Sequence, residues 1–439
     1  MARKMKDSGI EWIGEIPEGW EISKVSYFYE VQLGKMLQPQ KKSETDTEEK
    51  YLCAANVGKN SLSLDTLKTM WFSQTEKHQF DLKEGDLLVV EGGDVASCAI
   101  IETPVRNLFF QNALHRVRPL HNESVAFLRY WLMTAKSYGY IDLICNKATI
   151  AHFSKEKFIA LPIPVIPQDI QSKIVSFLDL ECKQIDDLLS KSRSSIEEYK
   201  KLKQAVITQA VTKGVRGERE MKPTDFTRWS EIPFDWNLKR VKSCIASISS
   251  GLSAVTDDAN SEESGKFVLR TSAVSSGFFV PTEVKPVLKS AVNRLICPVE
   301  PDTLIVSRMN TASMVGACAY VANNHPNTFL PDKLWKIKFL PSYHTKYMWY
   351  ALNSVPAKSW FSELATGASS SMQNISINDF TSNYLPIPAF SEQKEIANYL
   401  DAKCAEIDKL IAKKEQLVKE LESYKKSLIY EVVTGKREV

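Results

Sequence analysis

The chain has 439 residues, a length that suits two or more domains better than a single hydrophobic core. Hydrophobic residues make up 44% of the sequence and charged residues 25%, which is the balance of an ordinary soluble globular protein. The sequence has no run of about 18 apolar residues, so no membrane span is expected, and its charged beginning lacks the apolar centre of a signal peptide. The formal net charge of +3 neither requires nor excludes a nucleic-acid partner, because a basic face can lie within a balanced total.

The eight cysteines are scattered singly, without a CxxC or CxxH pair. This spacing argues against a zinc site and against a disulfide framework. It is typical of a protein kept in the reducing cytoplasm, which is the location we expect.

The first predicted domain covers residues 1–160. It mixes strand-like runs such as DLLVV and LHRVRP with a helical stretch, AFLRYWLMTAKSYGYI. Two polar loops interrupt it, GKMLQPQKKSETDTEEK at 34–50 and NKAT at 146–149. Solvated turn chemistry is the simplest explanation of any one such loop. Glutamine, asparagine and lysine are, however, also the side chains that read base edges and contact phosphates.

A central segment, residues 161–217, contains LPIP and then a long helix predicted from about Asp179 to Thr212. Proline before the helix and Gly214 after it are typical boundaries. A second domain at 218–384 has the same mixture of strand-like and helical runs, with a polar loop, TGASSSMQN, at 366–374. A distal segment, residues 385–439, again contains LPIP and a helix from about Asp401 to Thr434.

The two halves of the chain are copies of one unit. ECKQIDDLL at 181–189 is echoed by KCAEIDKLI at 403–411, an offset of 222 residues. Further matches follow in the same order with offsets that drift from 216, between residues 84 and 300, to 224, between 161 and 385. The globular parts keep their apolar skeleton while their polar residues diverge. This pattern predicts two similar domains that read different things.

Each long helix carries apolar residues at steps of three and four, the pattern of a coiled-coil seam. The predicted seam is Ile185, Leu188, Ser192, Ser195, Tyr199, Leu202 and Val206 in the first helix, and Ile407, Leu410, Lys414, Leu417, Leu421, Tyr424 and Leu428 in the second. Flanking apolar residues at 189, 196, 411 and 418 widen the stripe. A single helix of this kind would be expected to pack on its own domain. Two matched seams of equal length instead predict that the helices pack on each other, and equivalent helices related by a two-fold axis run antiparallel.

No catalytic motif is recognisable. The sequence lacks the phosphate-binding loop, the dinucleotide fingerprint, the HExxH and GxSxG motifs and the N/D-P-P-[YFW] tetrapeptide of amino-methyltransferases. Asp46, Glu48 and Lys50 superficially suggest a nuclease cluster, but we expect them in a charged loop without a strand to hold a metal ion. His115 and His152 have no partner at ligand spacing, and core or surface roles are expected for them.

A possible acidic cluster is confined to the first copy. Asp86, Glu91 and Asp94 lie near one another, and sequence alignment of the copies places Asp302, Ser307 and Asn310 at their counterparts. The sequence therefore offers no chemistry of its own.

The ordered set of motifs resembles the specificity (S) subunits of type I restriction–modification systems over essentially the whole chain. DSGIEWIGEIPEGWE is similar to the family's common start. ATIAHFSKEKFIALPIPVIPQDIQSKIVSFLD and SINDFTSNYLPIPAFSEQKEIANYLD are similar to its central and distal conserved regions. AVITQAVTKG and SLIYEVVTGK are similar to its helix endings. The fold class that follows is α/β (α+β), with two pseudo-two-fold-related target recognition domains separated by a long antiparallel two-helix coiled coil.

The resemblance implies a division of labour. Each recognition domain would read one half of a split, asymmetric double-stranded DNA sequence, and the helix pair would set the spacer and dock two modification (methyltransferase) subunits. Those partners would bind S-adenosylmethionine and methylate adenine, and restriction subunits with ATP- and Mg-dependent translocase and nuclease activity are possible further partners. This chain would bind none of these cofactors, would not be an enzyme and would not contact a membrane.

Loop polar residues are the predicted DNA contacts. They are Lys35, Gln38, Lys41, Lys42, Asn56 and Lys147 in the first domain, and Arg270, Arg308, Asn310, Ser370, Gln373 and Asn374 in the second. Two other classes stay open at this point. A noncatalytic coiled-coil scaffold would explain the helices but not two divergent polar domains, and an enzyme with an unrecognised active site would act on DNA alone.

Overall fold

A computed structural model describes residues 3–58, 61–145, 151–253, 263–369 and 372–439. The chain forms two compact units. The first unit is Met1–Arg193 with Gln416–Val439, and the second is Ser194–Glu415. Each unit combines a globular part with a portion of both long helices. The domain boundaries at residues 160, 217 and 384 follow the borders of the sequence repeat and stay a prediction.

The helices are α1 Gln74–Gln79, α2 Val125–Ser137, α3 Tyr140–Ile144, α4 Lys155–Ile159, α5 Gln168–Lys213, α6 Val241–Cys244, α7 Ser272–Ser275, α8 Thr345–Leu352, α9 Val355–Leu364, α10 Ile377–Thr381 and α11 Phe390–Val433. Short 3-10 helices cover Val25–Tyr27, Ala54–Asn56, Thr227–Trp229 and Lys289–Arg294.

The strands of the first unit are β1 Met5–Asp7, β2 Glu15–Pro17, β3 Glu21–Lys24, β4 Tyr29–Leu33, β5 Thr47–Leu52, β6 Lys68–Phe72, β7 Leu87–Val90, β8 Cys98–Ile100, β9 Leu108–Phe110, β10 Leu114–Pro119 and β11 Pro162–Val165. Those of the second unit are β12 Met221–Pro223, β13 Glu231–Pro233, β14 Asn237–Arg240, β15 Ile245–Ser250, β16 Glu263–Leu269, β17 Val284–Leu288, β18 Pro298–Val299, β19 Thr303–Ser307, β20 Met309–Asn310, β21 Cys318–Val321, β22 His325–Phe329, β23 Leu334–Phe339, β24 Thr366–Ser369, β25 Met372–Asn374 and β26 Tyr384–Ile387.

The first unit is built on an antiparallel sheet with the strand order β4-β10-β7-β8. Strand β7 is a continuous apolar run, so both of its faces are buried. Leu87 and Val89 belong to a core that includes residues of α2 and the long helices, whereas Leu88 and Val90 belong to a second core under the sheet β6-β5-β9. Packing on both faces fixes the sheet and leaves the strand ends to carry the loops.

The second unit repeats this plan with the antiparallel sheet β15-β23-β19-β21. Leu304 and Val306 of β19 belong to the helix-side core, and Ile305 belongs to the opposite core with residues of β16 and β18. A small sheet, β20-β25-β24, is formed in addition. The predicted mixture of helix and sheet in two similar units is confirmed.

Both long helices begin about three turns before their predicted starts. A buried glutamine explains the earlier start in each copy. The Gln171 side chain accepts a hydrogen bond from the backbone N of Ser124 at 3.0 Å, and the Gln393 side chain accepts one from the backbone N of His344 at 2.8 Å. These bonds tie the first helical turn to the globular part, so the helix starts directly after the proline-containing strand.

Within each unit the two long helices run antiparallel, as predicted. In the first unit Asp186 and Arg193 of α5 contact Lys425 and Glu422 of α11, so the α11 numbers fall as the α5 numbers rise. In the second unit the helix portions are joined by an ion pair and by apolar contacts in the helix-side core.

The seam itself differs from the prediction at every second position. Ile185, Tyr199, Val206, Ile407, Leu421 and Leu428 are buried or half-buried, as predicted. Leu188, Leu202, Leu410, Leu417 and Tyr424 are instead 38–50% exposed. The seam residues at these steps are each one position later, namely Leu189, Lys203, Ile411, Val418 and Lys425.

The reason for this error is local. Two apolar residues stand side by side at 188–189, 410–411 and 417–418, so the sequence leaves the choice between them open. Lysines occupy the true seam positions 203 and 425, where an apolar residue is expected. Long lysine side chains can pack their stems along such a surface while the charged end reaches a partner.

Candidate nucleic-acid interface

Two predicted DNA contacts, Lys147 and Ser370, lie outside the described residues. Three others, Lys35, Gln38 and Asn56, are buried, with 3–7% of their surface exposed. Their side chains are hydrogen-bonded within the fold and are not proposed as DNA contacts. The sequence prediction selected these buried residues because loops contain the same polar residue types whether the side chain points outward or inward.

The Lys35 ammonium group is held inside the first unit by a network of polar partners. Its Nζ donates to Gln38 Oε1 at 2.9 Å and forms an ion pair with Glu76. Burial alone would raise the pKa of Glu76, but hydrogen bonds from Lys35 and Ser73 outweigh it and hold that pKa below its ordinary value. A buried lysine is tolerated only when it is paired in this way.

The Asn56 side chain closes a turn of the same unit. Its Oδ1 accepts from the backbone N of Cys53 at 2.9 Å, and its Nδ2 donates to the carbonyl oxygens of Ser63 and Thr66 at 3.1 and 3.3 Å. Its amide oxygen and both amide hydrogens are therefore used within the fold.

Lys41 and Lys42 are exposed on the loop between β4 and β5. The expectation that no strand follows here is wrong, because β5 carries Glu48 and Lys50. Asp46 nevertheless does not form a nuclease cluster with them. Its Oδ2 accepts from the backbone N of Lys42 at 3.0 Å, which fixes the loop.

In the second unit the structure brings four predicted residues together. Strand β20 pairs with β25, so Asn310 lies opposite Gln373 and Met309 opposite Asn374. Arg308 immediately precedes β20, and its Nε is buried without a hydrogen-bond partner among the described residues. Asn310 is oriented by a hydrogen bond from its Nδ2 to Ser275 Oγ at 2.8 Å. We call Arg308, Asn310, Gln373 and Asn374 the β20 cluster.

Arg270 is exposed just before α7 and is partly engaged by the fold. Its Nε donates to the carbonyl oxygen of Val284 at 3.2 Å. The guanidinium group therefore has a fixed direction, which suits a phosphate contact.

The first unit carries an opposite charge at the position of Arg308. The backbone N of Glu91 donates to Ala113 O, and its carbonyl accepts from the backbone N of Phe153. Arg308 makes the same two bonds with Lys333 and Ile375. Sequence alignment of the copies pairs Glu91 with Ser307 and is therefore one residue off, since the structure pairs it with Arg308.

Basic partners surround this acidic site of the first unit. His152 Nδ1 lies 3.1 Å from Glu91 Oε2, and Lys136 Nζ lies 2.5 Å from Asp94 Oδ1. Asp86, in contrast, is buried and pairs with Arg118 at 2.6 Å. The three acidic residues therefore do not act as one group.

The two histidines have the predicted roles. His152 lies at the surface. His115 is fully buried, its Nε2 is 2.7 Å from the carbonyl oxygen of Phe153, and burial lowers its pKa below the ordinary value. Over the described ranges, no three His, Cys, Asp or Glu side chains are close enough to hold a metal ion. All eight cysteines are unpaired.

The sequence prediction missed two matched ion pairs between the long helices, one in each unit. Lys203 Nζ donates to both carboxylate oxygens of Asp408 at 2.7 and 2.6 Å, and Lys425 Nζ donates to those of Asp186 at 2.6 and 2.7 Å. Lys425 is the counterpart of Lys203, and Asp408 is the counterpart of Asp186, each at the offset of 222 residues. This repeated spacing was the signal that could have revealed them.

A family model described as the type I restriction modification DNA specificity domain matches residues 17–198 and 233–420, one copy in each half of the chain. The chain belongs to this family. It is a type I DNA specificity subunit, and the two matches coincide with the two copies found in the sequence.

Known relatives share its length and its fold. A putative type I restriction enzyme MjaX specificity subunit from Methanocaldococcus jannaschii is 23% identical over 97% of this chain and 95% of its own. A chain from a structural study of complex assembly and conformational transition of the type I R-M system matches with a TM-score of 0.72, at 14% identity over 95% of this chain and 98% of its own. The HsdS subunit from Thermoanaerobacter tengcongensis matches with a TM-score of 0.51, at 14% identity over 96% and 98%.

No helix within the described ranges is both long and apolar enough to span a membrane.

Proposed function

We propose that each unit of this specificity subunit reads one half of a bipartite, asymmetric double-stranded DNA target. The observation that carries this proposal is the exchange of Glu91 for Arg308 on identical backbone hydrogen bonds. A carboxylate can accept from the exocyclic amine of cytosine, whereas an arginine donates to guanine. Equivalent positions with opposite hydrogen-bonding capacity are expected to prefer different bases.

Within the second unit, the β20 cluster and Arg270 are the proposed DNA-facing residues. Arginine and the amides of asparagine and glutamine are suited to bidentate contacts with guanine and adenine. In the first unit, Lys41 and Lys42 are the proposed phosphate contacts, since both are exposed.

The helix pair is proposed to set the spacer between the half-sites and to dock two modification subunits. Its repeated seam and matched lysine–aspartate pairs support a stiff element, because polar contacts at seam positions fix helix register. Restriction subunits are proposed as further partners. S-adenosylmethionine, ATP and Mg are assigned to those partners, this chain is assigned no catalytic role, and the complex is assigned to the cytoplasm.

The test is methylation mapping by long-read sequencing in cells that carry this chain with its modification subunits. We expect methylated adenines in one split motif. Exchanging residues 218–384 for the matching segment of another family member should change one half of that motif and leave the other half intact. A change in both halves, or methylation without a split motif, would contradict reading by independent units. A complex that assembles but shows no sequence preference would favour a scaffold.

A further inference from the structure

An exposed apolar pair lies on the loop that follows β4 in the first unit. Met36 is 76% exposed and Leu37 is 54% exposed. We call these two residues the apolar tip. Apolar side chains left this exposed gain little burial energy from the fold, and two adjacent ones on a defined loop are candidates for contact with a binding partner.

The fold holds the apolar tip in place from both sides. Lys35 precedes it and Gln38 follows it, and both are buried. The backbone N of Lys35 donates to Phe110 O at 3.1 Å, and the backbone N of Trp71 donates to Gln38 O at 3.0 Å. Desolvating a lysine and a glutamine is unfavourable unless both are paired, as they are here through the ion pair of Lys35 and the hydrogen bonds of Gln38.

The chain also approaches a neighbouring strand closely where the loop leaves the sheet. A Cβ on Gly34 would lie 2.3 Å from the carbonyl oxygen of Gln111, so only glycine allows this crossing. Pro39 then fixes the backbone beyond Gln38 and biases the preceding residue toward an extended conformation. The apolar tip is therefore presented in a defined direction.

The second unit repeats the glycine crossing. A Cβ on Gly251, at the end of β15, would lie 1.6 Å from the carbonyl oxygen of Leu330. The next residue, Leu252, is 46% exposed. Both units thus carry an exposed apolar side chain just after a glycine crossing at the end of the equivalent strand.

The neighbouring charges favour DNA as the partner. Lys41 and Lys42 follow the apolar tip and are exposed. Glu44 contacts Lys41 at 3.2 Å, but exposed pairs of this kind are weak, and phosphates can compete for the lysine. An exposed apolar pair followed by exposed lysines is a combination found in proteins that insert methionine, leucine or proline side chains into the base stack and bind DNA with basic residues.

We propose that the apolar tip inserts between two adjacent base pairs of the half-site read by the first unit. This inference rests on the proposed function and adds DNA deformation to it. Pyrimidine–purine steps unstack at the lowest cost, so a TA or CA/TG step is expected under the tip. Sequence preference then extends to bases whose edges the protein does not contact.

The experiment uses the complex of this chain with its modification subunits and a duplex carrying the mapped target. Met36→Ser with Leu37→Ser is compared with Leu120→Ser. Leu120 is 50% exposed and follows β10 at Pro119, which pairs with Tyr29, so it lies at the opposite end of the β4-β10 pair. 2-Aminopurine at successive positions of the first half-site reports unstacking.

The tip variant should raise Kd by about tenfold. The dependence of Kd on salt should stay unchanged because no charge is removed. The 2-aminopurine signal at one step should be lost. Leu120→Ser should behave as the wild type, and Met36→Leu with Leu37→Met should retain binding and unstacking.

Three results would overturn the inference. The first is wild-type affinity and unstacking in the serine variant. The second is that the serine variant no longer assembles with the modification subunits although its own contact with DNA is unchanged, which would make the tip a protein-binding site. The third, a wild-type complex without any preferred sequence, would refute the proposed function together with the insertion, whereas the first two would refute the insertion alone.

Discussion

The matched lysine–aspartate pairs predict unequal effects of the same substitution in the two units. In the second unit, the Lys203 side chain is 11% exposed, and its Nζ lies 4.5 Å from the centre of the Phe278 ring in addition to contacting Asp408. In the first unit, the Lys425 side chain is 15% exposed and contacts Asp186 with the same geometry, without an aromatic ring among its described contacts. The repeat therefore supplies its own control.

The magnitudes follow from exposure. Asp408 and Asp186 are 49% and 57% exposed, so each ion pair is closer to a surface pair than to a buried one. We expect a coupling of about 1 kcal/mol for each pair, near the upper end for exposed pairs. The Phe278 ring adds roughly 0.5–1 kcal/mol for a partly exposed cation–π contact. Lys203→Ala should therefore destabilise its unit by roughly 0.5–1 kcal/mol more than Lys425→Ala destabilises the other.

Native-state hydrogen exchange read by mass spectrometry can measure these effects separately in each unit. Peptides within 196–207 report the second unit and peptides within 421–432 the first, because local opening free energies differ along a chain. Double-mutant cycles with Asp→Asn give the coupling. Lys200→Ala is a control, since Lys200 pairs with Glu197 on its own helix and should cost no more than about 0.5 kcal/mol. Equal costs for Lys203 and Lys425, or couplings below about 0.3 kcal/mol, would refute the reasoning.

Three further predictions concern the seam, the spacer and the buried histidine. Leu421→Asp should cost several kcal/mol and prevent assembly because it places a charge against the core, whereas Leu417→Asp, at a position 38% exposed, should be tolerated in a thermal-unfolding measurement. Inserting four residues after Ser195 and four after Leu417 adds about 6 Å and a residual turn of about 40°, so methylation mapping should show a spacer longer by one base pair, which rotates by about 34–36°. An unchanged spacer in an active complex would mean that the helices only dock partners. Burial lowers the pKa of His115, so the unfolded chain binds a proton at a higher pH than the folded chain, and stability should fall as pH drops below about 6.5. His115→Gln should make the urea midpoint less dependent on pH in that range. An unchanged pH dependence would mean that another group takes up the proton.

The sequence predicted the elements that depend on local pattern or on repetition. Continuous apolar runs such as DLLVV became buried strands, and the heptad-like helices became α5 and α11. The exact seam was not predictable, because Leu188 and Leu189 are equally apolar and only the partner helix decides between them. Helix starts were missed because Gln171 and Gln393 act through contacts with distant backbone, which local pattern does not reveal.

The candidate DNA contacts were harder to predict because residue type does not encode exposure. Lys35 and Lys41 lie six positions apart in one loop, yet the first is buried in an ion pair and the second is exposed. Only the fold distinguishes them, because it places Glu76 beside Lys35 and fixes the backbone of the loop there. The residues of the β20 cluster were each predicted as DNA contacts, but their assembly from two separate chain segments depends on the pairing of β20 with β25.

Comparison of the two copies within one chain separates residues that hold the fold from residues available for recognition. Where the copies agree, as at Gln171 and Gln393, the side chain makes the same bond to the same part of each unit. Where they disagree on an identical backbone, as at Glu91 and Arg308, the backbone bonds do not dictate the side chain: Glu91 pairs with His152, whereas Arg308 Nε has no hydrogen-bond partner among the described residues. If each unit reads one half of a split target, as proposed, residues at the strand ends must be free to differ between the copies. The helix pair would then be the shared element, and its lysine–aspartate pairs recur in both copies.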